Sequence, residues 1–207
     1  MSQPIPAFFI ADSPGLDFLN SVATPVDVPI DWIDDGEGLL AWLEQSRLVP
    51  VEVLIAMRER TMPGELDHLA AQARTLREWF RAFVGERKGR PLGAADLSEL
   101  EPLNRLLARD EGFWKIVAHE DQGAAALTLE RPRRWASPES LLLPIGEILA
   151  KLVCEENFSY VKACEGPVCT LMFADHTRGH ARRWCSMSVC GNRAKQAAHR
   201  TRAKRGT

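Results

Sequence analysis

Four cysteines near the C-terminus constrain this chain more than any other feature. Four residues separate Cys164 from Cys169, four separate Cys185 from Cys190, and 15 lie between the two pairs. Two short loops that each present two thiolates supply the four ligands that zinc takes in a tetrahedron. We therefore predict one structural zinc ion per chain, because four protein ligands leave no open position for water or substrate.

Disulfides and an iron–sulfur centre are the alternative uses of these cysteines. The N-terminal residues lack the basic and apolar stretches of a secretory signal, and the most apolar segment, 141–154, is too short and too polar to span a membrane. We therefore expect a cytoplasmic protein with no membrane contact, where disulfides are rare. The spacing also differs from ferredoxin-type runs, which favours zinc. We expect the fifth cysteine, Cys154, to be a buried core thiol.

The remaining sequence predicts an α+β protein. Apolar residues at three- and four-residue steps predict helices over 38–48, 65–84 and 96–109, and a serine–proline start predicts another from 137 to about 163. Segments 114–119 and 124–130 read as two strands joined at 121–123. We expect a mostly helical N-terminal domain over 1–160 with a small β element. No flexible linker follows it, so the last helix should pass directly into the first metal loop.

Residues 161–207 are expected to form the zinc domain. A strand over 170–174, a partner strand over 182–186 and a helix over 194–204 surround the cysteine pairs. The resulting order is knuckle, hairpin, second knuckle and helix, which is that of a treble-clef finger. The predicted fold class is therefore α+β, with a mostly helical N-terminal domain followed by a C-terminal treble-clef zinc finger.

Charge is distributed very unevenly along the chain. Residues 1–175 contain 17 basic and 28 acidic side chains, a net charge of −11, whereas residues 176–207 contain nine basic side chains and no acidic one, a net charge of +9. A basic segment on an acidic protein is typical of a nucleic-acid-binding end. A solvated basic tail is the alternative.

The predicted C-terminal helix carries side chains suited to nucleic acid. In the major groove of DNA, arginine or lysine reads guanine and glutamine reads adenine, so Arg193 and Gln196 suit base edges. The other basic residues suit phosphates, and phosphate contacts from all of them are the alternative. Four residues form one stripe along the helix: Arg193, Gln196, Arg200 and Lys204. Beside this stripe lie Lys195, His199 and Arg202. The candidate nucleic-acid-binding residues are Arg182, Arg183, Arg193, Lys195, Gln196, Arg200, Arg202 and Lys204.

Several strings of residues resemble a known family. The C-terminal part resembles the CGNR zinc finger of bacteria in Phe173-x-Asp175, in the run RRWCSM at 182–187 and in the run CGNRxK at 190–195. The run LDFLNS at 16–21 is similar to the opening of the ABATE domain, which usually precedes that finger. Departures are Ser21, where threonine is more frequent, and His176-Thr177, where the family more often has a serine-containing stretch.

The resemblance implies a stress-induced transcription regulator whose treble-clef finger binds DNA. It also implies that the N-terminal domain senses a small-molecule effector. Asp17 and Asn20 lie in the ABATE-like run and are candidate ligand-binding residues. The alternative role for both is to cap or tie down the first helix.

Two other functions compete with DNA-dependent regulation. A zinc-finger adaptor that binds protein or RNA has the same features, since a fold does not decide a function. An enzyme is the weakest candidate, because the sequence has no Gly-rich phosphate loop, nucleophile elbow or His/carboxylate cluster; we predict that the chain is not an enzyme. One basic helix reads only a few base pairs, so a specific regulator needs a homodimer or a second contact surface.

Overall fold

The computed structural model describes residues 6–24, 28–121 and 124–205, with side chains described except at 119–121, 124–126, 198 and 201–205. Its α-helices are α1 (Pro14–Leu19), α2 (Gly36–Gln45), α3 (Val51–Arg60), α4 (Glu65–Arg87), α5 (Glu101–Leu107), α6 (Leu142–Glu155) and α7 (Asn192–Arg205). Its described strands form antiparallel pairs: β1 (Val22–Ala23) with β2 (Ile30–Asp31), β3 (Lys115–Asp121) with β4 (Ala124–Glu130), and β5 (Val161–Ala163) with β6 (Met172–Ala174). Among the described helices, none is both long and apolar enough to cross a membrane.

The short helix α1 lies at the centre of the core. Helices α4 and α6 and strand β6 all pack against it, and every residue from Gly15 to Leu19 is buried. Gly15 permits the closest approach. A Cβ atom on it would lie 2.8 Å from the carbonyl oxygen of Ile148 and 2.9 Å from Cβ of Leu152. Helices α1 and α6 therefore pack more closely than any side chain at this position would allow.

Helix α4 joins distant parts of the chain through its arginines. Arg77 makes a bidentate pair with Asp31 of β2, with both N–O distances at 2.7 Å. One turn later, the Arg81 guanidinium donates to the carbonyl oxygens of Leu19, at 2.7 Å, and Thr170, at 2.6 Å. One helix thus holds β2, the end of α1 and the zinc-binding region in fixed positions.

Several predicted elements are confirmed. The helix predicted over 65–84 is α4, the helix predicted over 38–48 begins two residues earlier as α2, and the predicted strand pair is β3–β4 with Lys115 opposite Glu130. The predicted turn between these strands includes residues 122–123, which lie outside the described ranges. The predicted helix over 96–109 is instead a 3₁₀ segment, Ala94–Leu100, followed by α5. The Asp96 carboxylate accepts from the backbone N–H of Gly93 at 2.9 Å and so caps the start of this segment.

The predicted helix from 137 to about 163 begins as a 3₁₀ turn, Pro138–Leu141, continues as α6, and is wrong beyond Glu155. Helix α6 ends at Glu155, and the Asn157 side chain accepts from the N–H of Ser159 to start a 3₁₀ turn, Phe158–Tyr160. Strand β5 follows and precedes the first cysteine. It pairs with β6, so the predicted pairing of 170–174 with 182–186 is also wrong. Cys154 is exposed on α6, and the prediction of a buried thiol is wrong as well.

The close packing at Gly15 gives a test of the core. We expect Gly15→Ala to lower the free energy of unfolding by about 1–3 kcal/mol, because the added methyl group collides with α6. Gly85→Ala is the matched control, since a Cβ atom there meets nothing within 4 Å. It should raise stability by about 0.5–1 kcal/mol through helix propensity. Urea unfolding of both zinc-loaded variants checks the pair, and equal effects would contradict this packing.

Candidate metal centre and nucleic-acid interface

The structure brings the four paired cysteines into one cluster. The ligand atoms of Cys164, Cys169, Cys185 and Cys190 all lie within 4.8 Å of one another. The Sγ atom of Cys185 is 3.7 Å from that of Cys169 and 3.7 Å from that of Cys190. Zn–S bonds of about 2.3 Å place the sulfurs of a tetrahedral site about 3.8 Å apart. The donor set and its spacing therefore fit a zinc tetrathiolate.

The local backbone is built around these sulfurs. The Cys164 sulfur accepts from the backbone N–H of Gly166 at 3.4 Å and of Cys185 at 3.3 Å. A Cβ atom on Gly166 would lie 3.1 Å from the Cys190 sulfur. Glycine therefore suits this knuckle, because a side chain there would be tightly packed against the cysteine sulfurs.

Without a metal, the crowded thiols cannot all ionise. A hydrogen bond from Cys185 lowers the pKa of Cys169 to about 5, and the same interaction, with burial, raises the pKa of Cys185 far above its usual range. Burial and the neighbouring Cys169 charge raise the pKa of Cys190 to about 12. A bound divalent cation supplies the positive charge that lets all four groups be thiolates together.

Arg182 fastens this cluster to the rest of the protein. Its Nε donates to the carbonyl oxygen of Trp184 at 3.1 Å, and its Nη2 donates to that of Cys185 at 2.6 Å. The same guanidinium pairs with Asp12 and donates to the carbonyl oxygen of Ile10 at 2.9 Å. Its hydrogen-bonding groups are thus engaged with the protein itself, and Arg182 positions the cysteine loop.

Asp175 holds the loop between the cysteine pairs. Its fully buried carboxylate accepts from the Lys162 ammonium at 2.7 Å, the Thr177 hydroxyl at 2.6 Å and the backbone N–H of Arg182 at 2.9 Å. Burial alone would raise the pKa of Asp175, but these donors outweigh it and hold the pKa below its usual range. Sequence reasoning assigned no role to Lys162 or Asp175, although Asp175 stands in the Phe-x-Asp string.

The two candidate ligand-binding residues of the N-terminal domain make internal contacts. The Asn20 amide donates to the carbonyl oxygen of Met172 at 2.8 Å and accepts from its N–H at 3.0 Å, as a neighbouring strand would. Oδ1 of Asp17 accepts from the backbone N–H groups of Ile10, at 2.9 Å, and Ala11, at 3.0 Å. Burial raises the pKa of Asp17 to about 6 despite these two bonds. Both residues therefore tie segments together, and Asp17 also lines a cavity.

Helix α7 presents the other candidate nucleic-acid residues. It follows a five-residue π turn, Met187–Gly191, which contains Cys190. This turn is the main packing partner of α7 in the described part of the chain. Its side chains at Arg193, Lys195, Gln196 and Arg200 are exposed. Arg202 and Lys204 belong to the helix, but their side chains lie outside the described set.

Arg183 differs from its neighbour Arg182. Its guanidinium pairs with Glu165 and lies 4.9 Å from the ring centroid of Trp184, but more than half of the side chain is exposed. It therefore remains exposed, unlike Arg182.

A mostly helical domain followed by a four-cysteine cluster at the start of a helix defines a zinc-finger protein. Residues 12–156 match the family described as "Putative stress-induced transcription regulator", known as ABATE, and residues 160–203 match the CGNR zinc finger. The chain belongs to this family, since the first match alone covers more than half of it. The finger match and the cysteine cluster together indicate one structural zinc. Neither family is one of enzymes, and no curated protein matches the chain.

Zinc content tests the centre. We expect Cys185→Ser to abolish stoichiometric zinc binding, because a hydroxyl is a poor replacement for a central thiolate. Cys154→Ser is the matched control, since Cys154 is exposed and lies outside the cluster. It should keep one zinc per chain, as read by native mass spectrometry. Equal zinc content in the two variants would contradict the assignment.

Proposed function

We propose that this protein is a transcription regulator that binds duplex DNA through helix α7, under the control of its N-terminal domain, and that it has no catalytic role. The domains proposed for these tasks are residues 161–207 and 1–160. The observation that carries the proposal is the exposed face of α7, which lies in a segment of nine basic and no acidic side chains. DNA carries about one negative charge per 1.7 Å of its axis, which such a face complements.

The zinc cluster supports the proposal because it fixes where α7 begins. Cys190 lies two residues before Asn192, the first residue of the helix, and the N–H of Gly191 donates to the carbonyl oxygen of Ser186 at 3.0 Å. A helix anchored at one end by a metal site keeps its direction without a large core of its own. Zinc therefore has the role of orienting the binding helix rather than of reacting.

The dimensions and chemistry of α7 suit the major groove. Its 14 residues extend for about 21 Å, and the groove, about 12 Å wide, admits one α-helix. We place Arg193 and Gln196 near base edges, and Lys195 and Arg200 at phosphates. Arg202 and Lys204 join them on the grounds of sequence alone, Arg183 joins them as an exposed basic residue, and we assign Arg182 a positioning role.

Charge on the remainder of the chain favours one orientation on DNA. Residues 1–175 have a net charge of −11, so most of the protein is repelled by the phosphate backbone. Only the end that carries α7 is attracted. The asymmetry thus supports an approach with the helix first, and it accounts for a protein whose overall charge is only −2.

A salt series with a mixed-sequence duplex tests DNA binding. We expect zinc-loaded full-length protein to bind with a log–log salt slope of roughly −3 to −6, at about −0.9 per phosphate contact. Replacing Arg193, Lys195, Arg200 and Arg202 by alanine should abolish most of the binding. The matched control replaces four exposed basic residues elsewhere, Arg60, Lys88, Arg105 and Arg109, which removes the same charge and should leave the slope unchanged.

The competitors in the same assay separate the alternatives. Tighter binding of single-stranded or duplex RNA would favour an RNA-binding protein over a DNA-binding one. Equal losses in the two quadruple variants would mean that only overall charge matters. No binding even at low salt would contradict the proposal and favour an adaptor that binds protein.

A homodimer belongs to the same proposal, and hairpin β3–β4 supports it. Ile116 is paired with Leu129 and Ala118 with Leu127, so these residues share one face of the hairpin. Trp114, Ile116, Leu127 and Leu129 are between 63% and 74% exposed. Four such side chains present on the order of 500 Å² of apolar surface, as much as the largest patches of monomers. Two copies packed face to face would bury on the order of 1,000 Å², enough for a specific interface.

Sedimentation tests the dimer. We expect a species of about 46 kDa, twice the 23.1 kDa chain, and we expect Ile116→Thr/Leu129→Thr to sediment as a monomer. The adjacent cross-strand pair, on the other face, supplies the control, because Lys115→Thr/Glu130→Thr alters the neighbouring rung of the hairpin and should leave the dimer intact. A wild-type chain that remains monomeric at micromolar concentration would contradict this interface.

A further inference from the structure

A cavity in the N-terminal domain lies beside the first helix. Its volume is about 250 Å³, and it is lined by Phe9, Pro14, Asp17, Trp42, Gln45, Ser46 and Leu48. Asp17 is the one charged residue among these, and both backbone bonds that it accepts end on Oδ1. The lining thus combines two aromatic rings, one carboxylate and no basic side chain.

We propose that this cavity binds a small organic cation, an ammonium compound with an apolar body, as the effector of the regulator. The inference rests on the proposed function and identifies the site and the ligand class through which it is controlled. A carboxylate in a partly enclosed site attracts a cation and repels an anion. The aromatic ring of Phe9, which is 39% exposed, favours a cation near it as well.

Trp42 provides a second, independent observation. Its side chain is 1% exposed, and its Nε1–H has no hydrogen-bond partner among the described residues. A buried donor without a partner is rare in proteins, and a missing ligand or water is one cause. The same residue lines the cavity, although its Nε1 atom is itself buried in the wall. Because Trp42 lines the cavity, its indole N–H signal is a suitable reporter of a ligand bound there.

The cavity is connected to the finger through the segment 8–12, which we call the strap. Asp17 holds the strap by the N–H groups of Ile10 and Ala11. The carbonyl oxygens of the same two residues accept from the finger, that of Ile10 from Arg182 at 2.9 Å and that of Ala11 from the N–H of Ala174 at 2.9 Å. A ligand that draws on the Asp17 carboxylate therefore acts on the bonds that position the finger.

The side chains of the strap alternate between two cavities. Phe9 lines the cavity of Asp17, whereas Phe8 and Ile10 line a second one, of about 240 Å³, whose other wall includes Cys169 and Arg193. A shift of the strap would thus change the packing beside the zinc cluster and at the first turn of α7. The strap is thus a physical connection between the cavity of Asp17 and the finger. Its energetic coupling is measured by the effect of saturating cation on DNA affinity.

Nuclear magnetic resonance of zinc-loaded full-length protein, without DNA, tests the site. The probes are choline, n-butylammonium and 2-phenylethylammonium, with 2-phenylethanol as the neutral and phenylacetate as the anionic counterpart. We expect at least one cation to shift the indole N–H signal of Trp42, assigned through Trp42→Phe, together with the amides of Ile10 and Ala11. The alcohol and the acid should bind at least about tenfold more weakly.

Two variants sharpen the result. Asp17→Asn keeps an acceptor for the strap but removes the charge, and should weaken cation binding about tenfold or more. Gln45→Glu adds a carboxylate to the lining and should strengthen it. The proposal is overturned if none of the cations binds, if cation and alcohol bind equally, or if Asp17→Asn binds as the native chain does. DNA is absent, so failure of DNA binding leaves this result intact; with both established, saturating cation should alter DNA affinity.

Discussion

The guanidinium of Arg182 is the interaction on which the arrangement of this protein depends. It donates to the carbonyl oxygens of Trp184 and Cys185 on the metal side, and to Ile10 and Asp12 on the side of the N-terminal domain. Arginine suits this position because it offers five N–H donors in one rigid plane and keeps its charge when partly buried. The finger is consequently a docked part of the structure, since its second cysteine loop shares this group with the N-terminal strap.

Docking makes zinc binding and folding of the N-terminal domain interdependent. Strand β6, which follows the first cysteine pair, packs on α1, and Asn20 completes its hydrogen bonds at Met172. A small zinc domain is commonly unfolded without its metal. Here, loss of the metal would also remove a wall from the core around α1. The short finger is in turn stabilised by surfaces that it could not bury alone.

The sequence predicted those elements that rest on local signals. Cysteine spacing predicted the metal cluster, apolar periodicity predicted α4, and alternating segments predicted β3–β4. It failed where a non-local contact decides. Helical composition continues past Glu155, yet the chain turns at Asn157 because Val161–Ala163 finds a partner eleven residues further on, in Met172–Ala174. Arg182 likewise looks like any other basic residue in a basic segment, and only its buried acceptors reveal its role.

The same physics separates the basic residues into two groups. Arg182 and Lys162 have their charges matched by Asp12 and Asp175, so they hold the finger together and contribute little to its outward field. The side chains of Lys195 and Arg200 are exposed on α7, and no acidic residue follows Asp175 in the sequence. The positive charge of the C-terminal part is therefore concentrated on α7, at the C-terminal end of the sequence. In the proposed function, a polyanion would bind this surface without disrupting the contacts that hold the finger in place, because the structural cations are already neutralised.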